Sequence, residues 1–124
     1  MSTPNKQLVL DFLSMIIAGK IDEAYEKYID MNGKHHNAFT AAGFLALREG
    51  MKGNDQQFPH KKMEVKHVLG DGDLVAVHSH MILDPGKTEV AVVHLMRIEE
   101  GKIVEMWDCG QVIPNEQKNV DGMF

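Results

Sequence analysis

"AVVHLMRIEEGKIVEMWDCG", residues 91–110, reads as two alternating strands joined by a tight turn at EEGK. Apolar residues recur at every second position on both sides of the turn, which is the period of a strand with one buried face. His94 stands among the apolar positions of the first strand, and Asp108 ends the second. Because an ionisable side chain is costly to bury in an apolar core, this hairpin predicts both a sheet and a functional site.

The geometry of the EEGK turn decides how the two strands pair. A type I turn with Gly101 in a left-handed conformation would place His94 opposite Met106 and make Asp108 its diagonal neighbour. Diagonal neighbours on one sheet face lie about 7 Å apart, so both side chains could contact one ligand. A two-residue turn would instead move Asp108 to the other face.

The residues before position 60 have a helical period. Leu8, Phe12 and Ile16 form one apolar face, and Thr3 and Pro4 suit the cap and the first turn of that helix. A second helix is predicted at about residues 21–28, followed by a loop that breaks at the Asn-Gly pair of residues 32–33. A third helix is expected to start near residue 40 and to end at the glycines and proline of residues 50–59.

The second half of the chain has the period of β-strands, with turns predicted at residues 71–72, 84–87 and 99–102 and an end at Pro114. Helices followed by such a meander predict an α+β fold. We expect one domain, residues 1–124, in which N-terminal helices pack on a curved antiparallel sheet of four to six strands. Curvature would leave a concave pocket between the two layers.

Composition excludes several classes of partner. The chain of 124 residues carries a formal charge of −5 and no basic run, so we expect no nucleic-acid partner. No apolar run is long enough to cross a bilayer, and the N-terminal residues do not resemble a signal peptide, so we expect a cytoplasmic protein without a membrane partner. A lone Cys109 leaves no pair for an internal disulfide or a CxxC motif.

Other polar residues extend the candidate site. His78 and His80 share one strand face, and with a third histidine and a carboxylate such a pair could bind zinc or iron. The alternative is two polar groups at a strand end. His36 and Asn37 lie in the loop after the second helix, and Trp107 is predicted to be core packing or a pocket wall. The linear sequence gives no indication of a Ser/His/Asp arrangement.

Three segments carry a family resemblance: Tyr-Ile…His-Asn (residues 28–37), GKIVEMWD (residues 101–108) and NVDGMF (residues 119–124). They resemble the SnoaL-like proteins of the ketosteroid-isomerase-like, or nuclear transport factor 2-like, superfamily. The resemblance implies a cone-shaped α+β fold. It also implies the activity of the polyketide cyclases, which close rings by aldol condensation without metal or organic cofactor.

The resemblance also assigns roles. Asp108 would be the general acid and base, and His94 and Asn37 would hold the oxygens of the substrate. Closer relatives often carry aspartate where His94 stands and histidine where Met106 stands, so the division of roles between the two strands stays open.

The prediction is therefore a cofactor-independent lyase or isomerase that acts on a small apolar carbonyl compound. Its catalytic residues are Asp108 and His94, with substrate contacts from Asn37, His36, His78, His80, Met106 and Trp107 and no metal. Two alternatives are a hydrophobic-ligand binder without catalysis and a histidine-rich metal-binding variant. A homodimer is expected, because Val93 and Leu95 would leave apolar surface on the outer face of the sheet.

Overall fold

A computed structural model describes residues 4–124. These residues form three helices and five strands, in the order α1 (Pro4–Ile17), α2 (Ile21–Tyr28), β1 (Ile29–His35), α3 (Phe44–Gln57), β2 (Lys62–Asp71), β3 (Leu74–Asp84), β4 (Thr88–Glu99) and β5 (Lys102–Val112). The strands make one sheet in the order β1-β5-β4-β3-β2. The α+β prediction is confirmed, as are the bounds of α2, whereas the predicted cap Thr3 lies outside the described residues.

Strand β1 corrects the sequence prediction, which placed a loop at Asn32-Gly33. The strand pairs with β5 in parallel, with Ile29 opposite Ile103 and an irregularity before residue 34, so the sheet is mixed rather than wholly antiparallel. Asn-Gly is by itself a turn signal. The partner strand of β1 lies far along the chain, so no neighbouring segment indicates a strand at these residues. A Cβ on Gly33 would lie 2.2 Å from the carbonyl oxygen of Val104, so only glycine permits this approach.

Helix α3 begins later than predicted, at Phe44, and ends at Gln57, within the predicted range. Gly43 precedes it with φ 93°, a left-handed conformation that starts the helix at Phe44. The helix then passes through both of its internal glycines, each of which costs only about 1 kcal/mol in a helix interior. Tertiary contacts hold this part of the helix, because Tyr25 Oη donates to Met51 Sδ at 3.2 Å and Lys61 Nζ lies 2.7 Å from Asp55 Oδ1.

The core lies between the helices and one half of the sheet. We call the helix-covered side of the sheet the inner face and the other side the outer face. Phe12, Tyr25 and Phe44 pack edge to face, with ring centroids 5.8 and 6.3 Å apart. The inner face meets them with a fully buried apolar set, which comprises Val75, Val77, Met96, Ile98, Ile103 and Met106. Inner-face residues further along β4 are half-buried, whereas Gly110 and Val112 at the end of β5 are exposed, Val112 to 67%.

Among residues 4–124, no helix has the length and apolar character needed to span a bilayer.

Replacing Gly33 with alanine should destabilise the fold by about 3 kcal/mol, because the added methyl group would displace the backbone of β5. Gly53→Ala is the matched control. Gly53 lies within α3 and has nothing within 4 Å of an added Cβ, so alanine there should stabilise the protein by about 0.5–1 kcal/mol. Urea unfolding measures both changes, and equal behaviour of the two variants would contradict the close approach.

Candidate active site

The β4–β5 hairpin differs from the prediction in its turn and in its register. Glu100 and Gly101 both have positive φ, 51° and 75°, which is a two-residue turn of type I′ rather than the expected type I turn. The register then shifts, with Ile98 opposite Ile103 but Arg97 opposite Glu105. One extra residue, at position 104, therefore forms a β-bulge. The shorter turn alone would move the Asp108 side chain to the other face of the sheet, and the bulge returns it.

As a result, His94 lies directly opposite Asp108 on the inner face, instead of diagonally. The Asp108 carboxylate accepts from Nδ2 of Asn37 at 3.2 Å (Oδ1) and 3.0 Å (Oδ2). In the described part of the chain no hydrogen bond or ion pair joins His94 to Asp108, and the carboxylate acts on the imidazole only through its charge. The three side chains for which the resemblance implies the central roles are thus brought together at one end of the buried core.

Asn37 reaches Asp108 because the alternation of β1 continues beyond the end of that strand. His35 pairs with Met106, and the N–H of the next residue donates to the Met106 carbonyl at 2.9 Å, which puts Asn37 level with Asp108. The Oδ1 of Asn37 accepts from the N–H of Phe39 at 2.9 Å, and this bond orients the amide so that Nδ2 faces the carboxylate.

His35 is a positioning residue that the sequence prediction missed. Its Nδ1 accepts from the backbone N–H of Asn37 at 3.1 Å, so its Nε2 carries the proton and donates to the carbonyl of Ala41 at 2.8 Å. The imidazole is buried and lies 6.3 Å from the ring of Phe44. The sequence could have indicated this role only if β1 had been predicted, because in a strand that ends at residue 35 this side chain points inward.

His94 is held neutral by its surroundings. Burial lowers the pKa of its imidazole below the ordinary 6.5, and the nearby charge of Asp108 only partly opposes this effect. Its Nδ1 atom is buried and has no hydrogen-bond partner among residues 4–124. A neutral imidazole carries one N–H donor and one acceptor nitrogen, so His94 can donate to an oxygen or accept from a hydroxyl.

Ser79 is a further inner-face residue that the sequence prediction missed. Val77 pairs with His94 and Ser79 pairs with Val92, so Ser79 is the diagonal neighbour of His94 on the same face. Its side chain is fully buried, and its Oγ has no hydrogen-bond partner in the described part of the chain. The fold therefore brings Ser79, His94 and Asp108 onto one face of three adjacent strands, an arrangement that the linear sequence did not indicate.

Two predicted substrate contacts, His36 and Trp107, lie on the outer face. Their rings stack with centroids 5.0 Å apart and planes 14° apart, and His36 Nε2 lies 2.7 Å from Glu105 Oε2. That contact with His36 is the main reason why the pKa of Glu105 is lowered. Because β5 alternates, Asp108 points to the opposite side of the sheet from these two residues, and their contact with substrate stays a prediction. Met106 does face inward, but it is 2% exposed and belongs to the core.

His78 and His80 also lie on the outer face, since Val77 and Ser79 take the inner positions of β3. His78 Nδ1 is 2.9 Å from His67 Nδ1, and His80 Nε2 is 2.7 Å from Glu89 Oε1. The ring of Phe124 covers both histidines at 5.6 and 4.7 Å. They are thus separated from His94, and residues 4–124 contain no group of three metal-ligating side chains that could hold a metal ion.

A cavity of about 360 Å³ opens between α1 and β2 on the inner side of the sheet. Its walls are mostly apolar on the strand side, and the lining residues include Leu10, Ser14, Ile17, Met63 and Val65. Val65 is the cross-strand partner of Ser79. The cavity therefore borders the row of inner-face residues next to His94 and Asp108, and it falls within the size range of small-ligand pockets.

Comparison with known proteins identifies the family. The family model described as the SnoaL-like domain matches residues 9–106. The chain belongs to the SnoaL-like family. No curated protein matches this chain.

Solved structures support the nuclear transport factor 2-like fold at low sequence identity. AclR, a candidate hydroxylase from Streptomyces galilaeus, is 19% identical with a TM-score of 0.74, over 86% of this chain and 88% of that one. IdmH, a candidate polyketide cyclase from Streptomyces antibioticus, is 16% identical with a TM-score of 0.71, over 86% and 91%. An NTF2-like protein of unknown function from Cytophaga hutchinsonii is 17% identical with a TM-score of 0.71, over 90% and 93%.

Burial of His94 makes stability depend on pH in a defined direction. Between its lowered folded pKa and the ordinary value of 6.5, the unfolded chain binds a proton that the folded protein does not bind. The contribution of His94 to the free energy of unfolding therefore rises with pH through that window and is constant above about pH 7.5.

The test compares urea unfolding of the wild type and of His94→Leu at pH 5, 6, 7 and 8. The stability of the wild type relative to this variant should increase from pH 5 to pH 7 and then level off. The exposed His60, replaced by leucine, serves as the control and should give a difference that does not follow this course. A relative stability that falls with rising pH would contradict the buried, neutral imidazole.

Proposed function

We propose that this SnoaL-like protein catalyses acid–base chemistry on a small, largely apolar carbonyl compound, of the kind that closes a ring by aldol condensation. The observation that carries the proposal is the direct opposition of His94 and Asp108 on the inner face, with neither group bound to the other. An ionisable pair at the edge of an apolar core, unused by the fold as an ion pair, is characteristic of a site for a ligand.

Asp108 is the proposed proton acceptor and donor. An ionised carboxylate has about four lone-pair positions, and Asn37 uses one on each oxygen. The remaining positions are available to take a proton from the carbon next to a substrate carbonyl. The enolate carbon then attacks the second carbonyl group, and the same carboxyl group returns the proton to the new alkoxide, so that protons balance over the cycle.

His94 is the proposed electrostatic partner in this step. A neutral N–H group aimed at the developing enolate oxygen stabilises charge without first losing a proton of its own. Burial supports this role, because a hydrogen bond in a poorly solvated site is stronger than one in water. Histidine takes the same neutral role in enzymes that polarise a carbonyl group.

The apolar character of the substrate is inferred from the surroundings of the pair. The inner-face residues beyond His94 are small or apolar, since Val90 and Val92 are half-buried there and Gly110 is exposed. Such a surface suits a flat hydrocarbon framework with few polar groups. The similarity to IdmH, a candidate polyketide cyclase, agrees with a substrate that carries several carbonyl groups.

A second candidate is binding of the same class of ligand without catalysis. The position of the α1–β2 cavity favours it, because that cavity borders β2 whereas Asp108 lies on β5 at the far side of the inner face. A ligand in that cavity would contact Val65, the cross-strand partner of Ser79, without reaching the carboxylate of Asp108.

Hydrogen–deuterium exchange separates the two candidates. The protein is incubated in D₂O with 2-tetralone and related cyclic ketones, and loss of the proton signal next to the carbonyl is followed by NMR. Catalysed exchange should fall by about 100-fold or more in Asp108→Asn, which preserves size and keeps one oxygen to accept from Asn37 but cannot take the proton. The exposed Asp121→Asn is the matched control and should retain the wild-type rate.

Wild-type exchange in Asp108→Asn would refute the acid–base role. Saturable binding of these ketones by the wild type, detected by calorimetry without any exchange above the buffer rate, would favour the binding protein instead.

A further inference from the structure

The inner face holds two buried polar atoms that lack a partner within residues 4–124, Ser79 Oγ and His94 Nδ1. They belong to diagonal neighbours on adjacent strands, whose Cβ atoms lie about 7 Å apart or less in an antiparallel sheet. Each atom is the kind of group that the other needs, since a hydroxyl donates and an unprotonated ring nitrogen accepts. A buried polar atom without a partner costs free energy, so two of them on diagonal neighbours call for a joint explanation.

We propose that the Ser79 hydroxyl serves as the hydrogen-bond donor to Nδ1 of His94, directly or across one buried water, and thereby fixes His94 as the tautomer that carries its proton on Nε2. Ser79 is then a positioning residue, which acts through His94 and does not touch the substrate. Rotation about the Cα–Cβ bond of Ser79 moves the hydroxyl, and where the two atoms lie beyond direct hydrogen-bond distance a buried water would link them.

The direction of the hydrogen bond follows from counting donors. If Nδ1 carried the proton and donated to Oγ, the hydroxyl proton of Ser79 would need a second acceptor. The cross-strand partners of Ser79 are Val65 and Val92, and neither side chain offers an acceptor. With the hydroxyl as donor to Nδ1, one hydrogen bond satisfies the donor of Ser79 and the acceptor of His94. Only lone pairs then stay unpaired, and these cost less free energy than an unpaired donor.

The consequence for catalysis rests on the proposed function. With Nδ1 occupied, the only N–H of His94 is at Nε2, on the opposite side of the ring from the buried Nδ1 atom. Ser79 would therefore decide that His94 presents a donor, rather than an acceptor, to the substrate oxygen. In the wrong tautomer, His94 would offer a lone pair to the enolate and repel it.

The first test reads the tautomer in the free protein. Two-bond ¹H–¹⁵N correlation spectra of ¹⁵N-histidine-labelled protein at pH 7.5 distinguish protonated from unprotonated ring nitrogens, and loss of one set of signals in His94→Gln assigns His94. We expect Nε2–H and an unprotonated, hydrogen-bonded Nδ1. A wild-type His94 with its proton on Nδ1 overturns the proposal without any variant of Ser79.

The second test removes the hydroxyl at constant shape. Ser79→Thr keeps a hydroxyl and Ser79→Val replaces it with a methyl group, while Ser79→Ala removes it without added bulk. Thr should preserve the wild-type Nδ1 signal. Val and Ala should shift it toward the position of a nitrogen with no hydrogen bond or give a mixture of tautomers. An unchanged spectrum in both Ala and Val, or an equal change in Thr, overturns the proposal.

Stability gives an independent readout. If the Ser79 hydroxyl had no partner, Ser79→Ala would raise the free energy of unfolding, because it would remove a buried polar group that nothing satisfies. If the hydroxyl donates to His94, the same change lowers the free energy of unfolding and leaves Nδ1 unpaired. In the His94→Leu background this loss should disappear, since the acceptor is already gone.

The failure of this proposal can be distinguished from failure of the proposed function. The tautomer is measured without substrate, so Nε2–H in a protein that catalyses no exchange would refute the function alone. An Nδ1–H tautomer together with exchange that depends on Asp108 would refute the role of Ser79 alone.

Discussion

The site depends on one constraint: whether the number of residues between the β4–β5 turn and Asp108 is odd or even, because this decides the face on which the Asp108 side chain lies. With the two-residue turn alone, the Asp108 side chain would lie on the outer face, where Trp107 lies now. The extra residue at position 104 turns the Asp108 side chain back to the inner face. The bulge sits beside β1, where the carbonyl of Val104 meets Gly33 in the close approach. The irregularity that sets the direction of the Asp108 carboxylate is therefore built into the contact that holds the parallel edge strand.

The same edge strand delivers Asn37. Because β1 is parallel to β5, both strands lead in the same direction toward the open end of the core, and their inward residues stay level beyond the last ladder bond. His35 then braces the loop that follows by using both ring nitrogens on backbone groups. Asp108 thus receives its two hydrogen bonds from a residue 71 positions away in the sequence, through a chain of contacts that begins in the core.

The sequence predicted those features of the fold that depend on local hydrophobic periodicity and on turn residues. The helices, the three hairpins and the shared face of His94 and Asp108 follow from alternation and from glycine in turns, although the last was predicted through a turn type that is wrong. Strand β1 was missed because a parallel partner gives no nearby signal and Asn-Gly imitates a turn. His78 and His80 were assigned to the site because residue type was considered without register, and register places them with Phe124 on the outer face.

Ser79 illustrates why the sequence alone could not complete the site. On a strand with alternating burial, a serine at a core position differs little from a small apolar residue, and its significance appears only when its neighbours are known. Val65 and Val92 flank it across the strands, and the proposed partner of its hydroxyl is the diagonal His94. A buried hydroxyl is costly unless it has a hydrogen-bond partner, and here its role would be to set the tautomer of His94, the cross-strand partner of Asp108.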